Sequence, residues 1–206
     1  MQPIFSSNPD YTKTALLNWR IENGNDILNI LNLAEGYFEA SISLAKLCIE
    51  SNRDNRADIL IFPIFTNINH GIELYLKAMT WTLNRLLDNG RRIEGGHNIE
   101  QMYQTVKARI KDYSGNQSKK ESENSTNELK EYIKELFDKI QPNKNNDKMD
   151  FSRYHLTNNY VNHFYVDEIG NVEIDLENFI RKFEIIQENL KSISDDLYHV
   201  KLNKDY

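Results

Sequence analysis

The chain contains few of the residues that define several common classes of small protein. Of its 206 residues only Cys48 is cysteine, so neither a disulfide framework nor a thiolate zinc site can form within one chain. With 8 glycines and 4 prolines, it has little of the turn chemistry that a β-sandwich needs. These scarcities favour long helices, and Cys48 is predicted to be a small buried residue.

Basic charge is also scarce. Lysine and arginine total 25 against 31 aspartate and glutamate residues, which gives a formal net charge of −6. This disfavours a protein that coats duplex nucleic acid, because phosphates are neutralised by clustered cations, but it leaves room for a local basic pocket. No stretch is interpreted as apolar and uncharged enough to span a bilayer, and no basic segment precedes an apolar run at the N-terminus. We expect a cytoplasmic protein with no membrane partner.

Apolar residues recur with helical periodicity along most of the chain. The strongest pattern lies in 64–88, where one face carries Phe65, Ile68, Ile72, Leu76, Met79, Leu83 and Leu86. Further patterns predict helices over 27–49, 99–110 and 128–140, and a last helix that is capped by Asp175. Helices joined mainly by short links predict an all-α protein, an up-and-down bundle of four to five long helices.

Two segments interrupt this pattern. Residues 114–127 contain no large apolar side chain and are predicted to form a flexible loop. Residues 164–166 and 172–174 flank a turn that contains Gly170, which predicts a small β-hairpin before the last helix.

The length suits a single domain, 1–206. Residues 1–24 are interpreted as an N-terminal extension, with a short helix predicted over 10–22. Residues 201–206 are polar and are predicted to fray.

The central helix also carries a polar stripe between the apolar residues Leu74 and Trp81. Its members are Thr66, Asn69, His70, Glu73, Lys77, Thr80 and Asn84. A narrow polar stripe with apolar flanks indicates a partly buried seam. Glu73 and Lys77, one helical turn apart, would form either an exposed ion pair or part of a buried network with His97 and Arg153.

Metal binding is not expected. His70 and Glu73 have a His-x-x-Glu spacing that could supply two ligands, but no second such pair follows. A dimetal site in a helical bundle needs carboxylates from several helices. We therefore predict neither a metal nor another cofactor.

Three short segments stand in a distinctive order: 71–78, GIELYLKA; 96–102, GHNIEQM; and 151–154, FSRY. Together they resemble the HEPN superfamily, small helical bundles of bacterial and archaeal toxin–antitoxin and phage-defence loci. They are similar to its Glu-Leu-x-Leu-Lys-Ala helix, its His-Asp-Leu-x-x-Leu helix start and its Arg-Tyr-Pro segment. Some relatives also have residues like those that follow here, Asp167, Gly170 and Asn171. The resemblance covers roughly 27–197.

The resemblance implies a site. Ribonuclease members carry an arginine, four to six residues and then a histidine, a spacing that Arg92 and His97 satisfy, as does the stretch counted from Arg91. Ile93 and the two glycines before His97 differ from the family's polar, helical pattern. The resemblance therefore leaves two hypotheses, a metal-independent endoribonuclease and a non-catalytic module.

RNA cleavage without a metal needs a group that deprotonates the ribose 2′-hydroxyl and a cation that stabilises the transition state. His97 is the predicted acid or base, and Arg92 or Arg153 the predicted phosphate-binding cation. The alternative is architectural: His97 caps a helix or forms a hydrogen bond to the polar stripe, and Arg153 forms a buried ion pair that fixes the bundle. The predicted supporting residues are Glu73, Lys77, His70, Asn69 and Tyr154.

The partners are those that the resemblance implies. A homodimer is expected, since HEPN ribonucleases form a composite cleft between two copies. Other expected partners are RNA or a nucleotide, and a cognate antitoxin, a nucleotidyltransferase or another defence protein. An immunity or antitoxin subunit that masks a toxin is a further hypothesis.

Overall fold

The structure is a computed structural model that describes residues 3–93, 96–140, 150–157, 159–166 and 168–203, without the side chains of 116–122. Within these residues the chain forms five helices: α1 (Asp26–Glu50), α2 (Ala57–Leu86), α3 (Ile99–Ser125), α4 (Asn127–Ile140) and α5 (Leu176–Asp195). A π-helical turn, Asp196–Leu202, continues α5, and a short 3-10 turn lies at Asp150–Ser152. The all-α prediction is confirmed.

α2 is the central helix of the bundle. It packs against α1, α3, α5 and the π-helical turn, and it runs without interruption through Pro63. Its fully buried large side chains are Ile64, Ile68, Ile72, Tyr75, Leu76, Met79 and Leu83. The predicted apolar face is therefore the face that meets the other helices, and Cys48 of α1 is buried as predicted.

By length and composition α2 is also apolar enough to cross a membrane, with a mean hydropathy of 1.2 over an 18-residue window. The prediction that no stretch has this composition was therefore wrong. The central helix of a soluble bundle can have the same composition, and α2 is likewise a central helix, packed against its neighbours. The cytoplasmic localisation stays a prediction.

α1 and α2 approach each other closely at Gly71. A Cβ atom at this position would lie 2.6 Å from Cδ2 of Phe38 and 3.3 Å from the carbonyl oxygen of Ala34. Phe38 and Ala34 are fully buried in α1, so neither has space to move away. The glycine is thus required by helix packing and not by its backbone angles.

The segment 114–127 is mostly helical, so the prediction of a loop was wrong. α3 is broken at Gly115, which has φ 79° and ψ −170°, a conformation that only glycine adopts readily. Tyr103 Oη lies 2.9 Å from Thr126 Oγ1, whereas a straight helix would separate these residues by about 35 Å. Lys107 Nζ likewise lies 2.7 Å from Glu123 Oε1. α3 therefore folds back at Gly115 as a helical hairpin held by polar contacts.

The β-hairpin predicted over 164–174 is not formed by the described residues of that segment; Asp167 lies outside them. Gly170 has the expected positive φ of 102°, but the strands do not pair. Instead the ring of Phe164 packs 5.9 Å from that of Phe151, and Tyr165 Oη donates to the Phe151 carbonyl at 2.9 Å. These contacts attach the segment to the 150–152 turn, so its aromatic residues serve the core.

The two ends also differ from the predictions. The helix predicted over 10–22 is only a turn at Tyr11–Lys13, and Leu17 and Trp19 are 79% and 72% exposed because nothing packs on them in the described part of the chain. At the other end Lys201 and Leu202 belong to the π-helical turn, while 204–206 lie outside the described residues.

The packing at Gly71 predicts opposite effects for two glycine-to-alanine substitutions. Gly71→Ala should lower the free energy of unfolding by about 1–3 kcal/mol, because the new methyl group overpacks the interface with Phe38. A methyl group at Gly36 in α1 would meet no atom within 4 Å. Gly36→Ala should therefore raise the free energy of unfolding by about 0.5–1 kcal/mol. Urea unfolding of both variants measures this, and equal effects would contradict the packing.

Candidate functional site

A polar cavity of about 230 Å³ opens beside the middle of α2. Four parts of the chain line it: α1, α2, the residues at the start of α3, and the turn after 150. We call it the polar pocket; its lining residues are Tyr37, Thr66, Asn69, His70, Glu73, His97, Ile99, Ser152 and Arg153.

Glu73 is the centre of a charged network at this pocket. Its side chain is only 9% exposed, and its Oε1 accepts hydrogen bonds from Lys77 Nζ at 2.6 Å and from His97 Nδ1 at 2.9 Å. His70 Nδ1 lies 3.8 Å from Oε2, beyond hydrogen-bond distance but close enough for an electrostatic interaction. Of the predicted network of Glu73, Lys77, His97 and Arg153, these hydrogen bonds join the first three residues. Arg153 pairs with Asp150 and lines the same pocket.

The partners of Glu73 keep it ionised. Burial alone would raise the pKa of its carboxyl group, but the interactions with His70, Lys77 and His97 outweigh burial and lower the pKa to about 2. Near neutral pH the carboxylate is therefore a hydrogen-bond acceptor only.

This charge state determines the tautomer of His97. Because an ionised carboxylate cannot donate, the proton of the hydrogen bond belongs to His97 Nδ1. In the neutral ring Nε2 then has a free lone pair, directed away from Glu73. The side chain of His97 is 64% exposed, so this nitrogen is available to a ligand.

Arg153 lines the same pocket from the turn after Asp150–Ser152. Its Nη2 donates to Asp150 Oδ1 at 2.6 Å, and its side chain is 47% exposed. A guanidinium has five N–H donors in a planar arrangement that suits phosphate and carboxylate anions. Ser152 beside it is buried, and its Oγ accepts a hydrogen bond from Thr66 Oγ1 at 3.0 Å.

Two α2 residues complete the lining. The ring of His70 meets that of Tyr37 edge to face, with centroids 4.5 Å apart. Asn69 is buried and accepts a hydrogen bond from Tyr132 Oη of α4 at 2.6 Å. Burial raises the pKa of Tyr132, so its hydroxyl stays protonated and can donate. The pocket is thus fixed to α1 and α4 as well as to α3.

Three of the predicted site residues do not line the polar pocket. One of them, Lys77, is joined to it through its ion pair with Glu73. Arg92 is exposed, and its carbonyl accepts from Asn84 Nδ2 at 3.1 Å. Tyr154 is 62% exposed, and the pocket-lining part of its segment ends at Arg153. Residues 94 and 95 lie outside the described residues, so the structure describes only part of the backbone between Arg92 and His97.

The sequence reasoning missed some lining residues. Tyr37 was not predicted as a site residue, since a tyrosine within an apolar helical pattern does not show that its ring lines a cavity. Ser152 could have been found from its place beside Arg153. Thr66 was in the polar stripe but had not been chosen as a site residue.

The described residues contain no group of three or more His, Cys, Asp or Glu side chains that is arranged to hold a metal ion. His70 and Glu73 face each other directly across 3.8 Å. Glu73 is also occupied by Lys77, a cation, which makes it a poor ligand for a second cation.

The lowered pKa of Glu73 predicts acid-dependent stability. Its folded-state pKa of about 2 lies below the value of an unfolded chain, so its stabilising contribution is complete above about pH 5 and is lost as the pH falls toward 2. The loss should be up to about 3 kcal/mol. Urea unfolding measured between about pH 5 and pH 2 should show this loss of stability in the wild type and not in Glu73→Gln.

The matched control is Glu184→Gln, which removes the carboxylate of an exposed ion pair with Lys46. Exposed pairs contribute little, so this variant should keep the pH dependence of the wild type. Equal pH dependence in wild type and Glu73→Gln would contradict the network.

Comparisons with protein-family models, curated proteins and solved structures give no match for this chain.

Proposed function

We propose that the chain is a HEPN-like protein that cleaves RNA without a metal ion, with the scissile phosphate in the polar pocket. The observation that supports this most is that His97 and Arg153, 56 residues apart in the sequence, line one cavity. A proton-transfer group and an anion-binding cation are the minimum that metal-independent cleavage needs.

We assign a role to each group. Neutral His97 takes the 2′-hydroxyl proton on Nε2 while Glu73 holds Nδ1–H, and the 2′-oxygen attacks the adjacent phosphorus. Arg153 stabilises the additional negative charge on the phosphoryl oxygens. The P–O5′ bond breaks, and the leaving oxygen takes a proton, for which His70, the second imidazole of the polar pocket, is the proposed donor. The products are a 2′,3′-cyclic phosphate and a 5′-hydroxyl end.

The size and charge of the molecule restrict the substrate. A cavity of about 230 Å³ is smaller than the usual pocket for a drug-sized ligand, so it accepts one phosphate or part of one nucleotide. A net charge of −6 disfavours binding to a duplex backbone, which requires many clustered cations. We therefore propose single-stranded RNA as the substrate.

A second candidate is a non-catalytic HEPN-like module that binds RNA, a nucleotide or a partner protein. The ion pair between Arg153 and Asp150 favours it, because a guanidinium that is held this way can be architectural. The position of Arg92 favours it too. The family's arginine–histidine spacing would place this arginine at the site, whereas Arg92 lies outside the polar pocket.

The cellular setting is part of the same proposal. HEPN-like proteins act in bacterial defence and toxin–antitoxin systems, usually as dimers. We propose a cytoplasmic homodimer whose partner is a cognate antitoxin, a nucleotidyltransferase or another defence protein.

The proposal predicts RNA cleavage that persists in EDTA. His97→Ala and Arg153→Ala should each lower the rate by about 100-fold or more, since each removes a group that acts in the transition state. The measurement is single-turnover cleavage of a fluorescent single-stranded RNA, with identification of the 2′,3′-cyclic phosphate end.

Arg92→Ala is the matched control, since Arg92 is an exposed arginine outside the pocket. It should retain wild-type activity. A loss of activity in Arg92→Ala with none in Arg153→Ala would instead favour the pair with the family's spacing. A folded wild type that binds RNA without cleaving it would favour the second candidate.

A further inference from the structure

A second cavity, of about 380 Å³, lies between α4, α5 and the residues 164, 168 and 171–175. Its volume is within the range of small-molecule sites. We call it the aromatic pocket, because six aromatic side chains line it: Phe65, Tyr132, Phe151, Phe164, Phe179 and Phe183.

The rings form one continuous cluster. The ring centroids of Phe179 and Phe183 are 4.4 Å apart, and those of Phe151 and Phe164 are 5.9 Å apart. Phe164 is only partly buried, whereas Phe151, Phe179 and Phe183 are at most 6% exposed. The cluster is therefore a wall of packed rings, in which Phe164 and Phe65 are the partly buried rings that a ligand can reach.

The charges around this pocket are mostly negative. Among the described residues, Glu135, Glu168 and Glu173 line it without an ion-pair partner, and all three are exposed. The fourth carboxylate, Asp175, accepts a hydrogen bond from the backbone N–H of Asn178 as the cap of α5.

The two lysines of the pocket do not balance these carboxylates. Lys182 Nζ lies 3.6 Å from Glu131 and 3.8 Å from Glu128, neither of which lines the pocket. Its charge is therefore shared with carboxylates elsewhere, which leaves Lys139 as the main opposing cation.

We propose that the aromatic pocket binds a small organic cation whose charge is surrounded by alkyl groups, such as a quaternary ammonium. The faces of aromatic rings attract cations, and this attraction is the known basis of quaternary ammonium recognition. Such a cation has no N–H donors and needs no acceptors in the wall, whereas a primary ammonium does. The carboxylates at the pocket supply complementary charge.

The occupant's charge follows from the lining. An anion would meet the unpaired carboxylates, and a neutral apolar molecule would gain from the rings but not from the charge. The pocket does not depend on the catalytic proposal, because none of its lining residues has a role in RNA cleavage.

The test is isothermal titration calorimetry with choline and with its uncharged isostere, 3,3-dimethylbutan-1-ol. Choline should bind the wild type at least about tenfold more tightly than the alcohol, because only the cation gains from the rings and carboxylates. Its affinity should also fall as the salt concentration rises. Equal binding of the two compounds, or no binding of choline, would overturn the proposal.

Three variants locate the site. Phe164→Leu keeps an apolar wall but removes a ring, so it should weaken choline binding about threefold and leave the alcohol unaffected. The double variant Glu135→Gln with Glu173→Gln should weaken choline binding alone. Glu188→Gln, an exposed carboxylate of α5 outside the pocket, should change neither ligand. Choline affinity unchanged in the Phe164 and glutamate variants would also overturn the proposal.

Discussion

The buried carboxylate of Glu73 is the constraint on which the site depends. An isolated charge inside a bundle costs several kcal/mol, so a carboxylate on the inner part of α2 must have partners there. Lys77 comes from the same helix, but His97 precedes α3 and must be brought to Glu73 by the packing of that helix. The requirement to compensate one charge therefore fixes both the position of the imidazole and its orientation.

The turn after α4 connects the two cavities of the molecule. Phe151 lines the aromatic pocket, while the next two residues, Ser152 and Arg153, line the polar pocket. A second connection runs through the bundle, where Tyr132 of the aromatic pocket donates to Asn69 of the polar pocket. The cation that we assign to phosphate thus sits on a turn whose position depends on aromatic packing behind it.

Local features could be predicted from the sequence, and non-local ones only in part. Helical periodicity is carried by neighbouring residues, so it located α1, α2, α4, α5 and the first half of α3. The polar stripe located Glu73 before any partner was visible. Which of the two arginines, Arg92 or Arg153, lines the polar pocket depends on which segment folds against α2. Spacing along the chain does not contain that information. The hairpin at Gly115 was missed because polar contacts hold it, whereas the prediction looked for large apolar residues.

The tautomer of His97 tests the role of Glu73 most directly. In ¹⁵N NMR spectra at about pH 8.5, where a histidine ring is normally neutral, the proton should reside on Nδ1 and Nε2 should be unprotonated. Glu73→Gln should weaken this preference, because an amide can donate as well as accept. A wild-type ring that carries its proton mainly on Nε2 would contradict an ionised Glu73 holding His97.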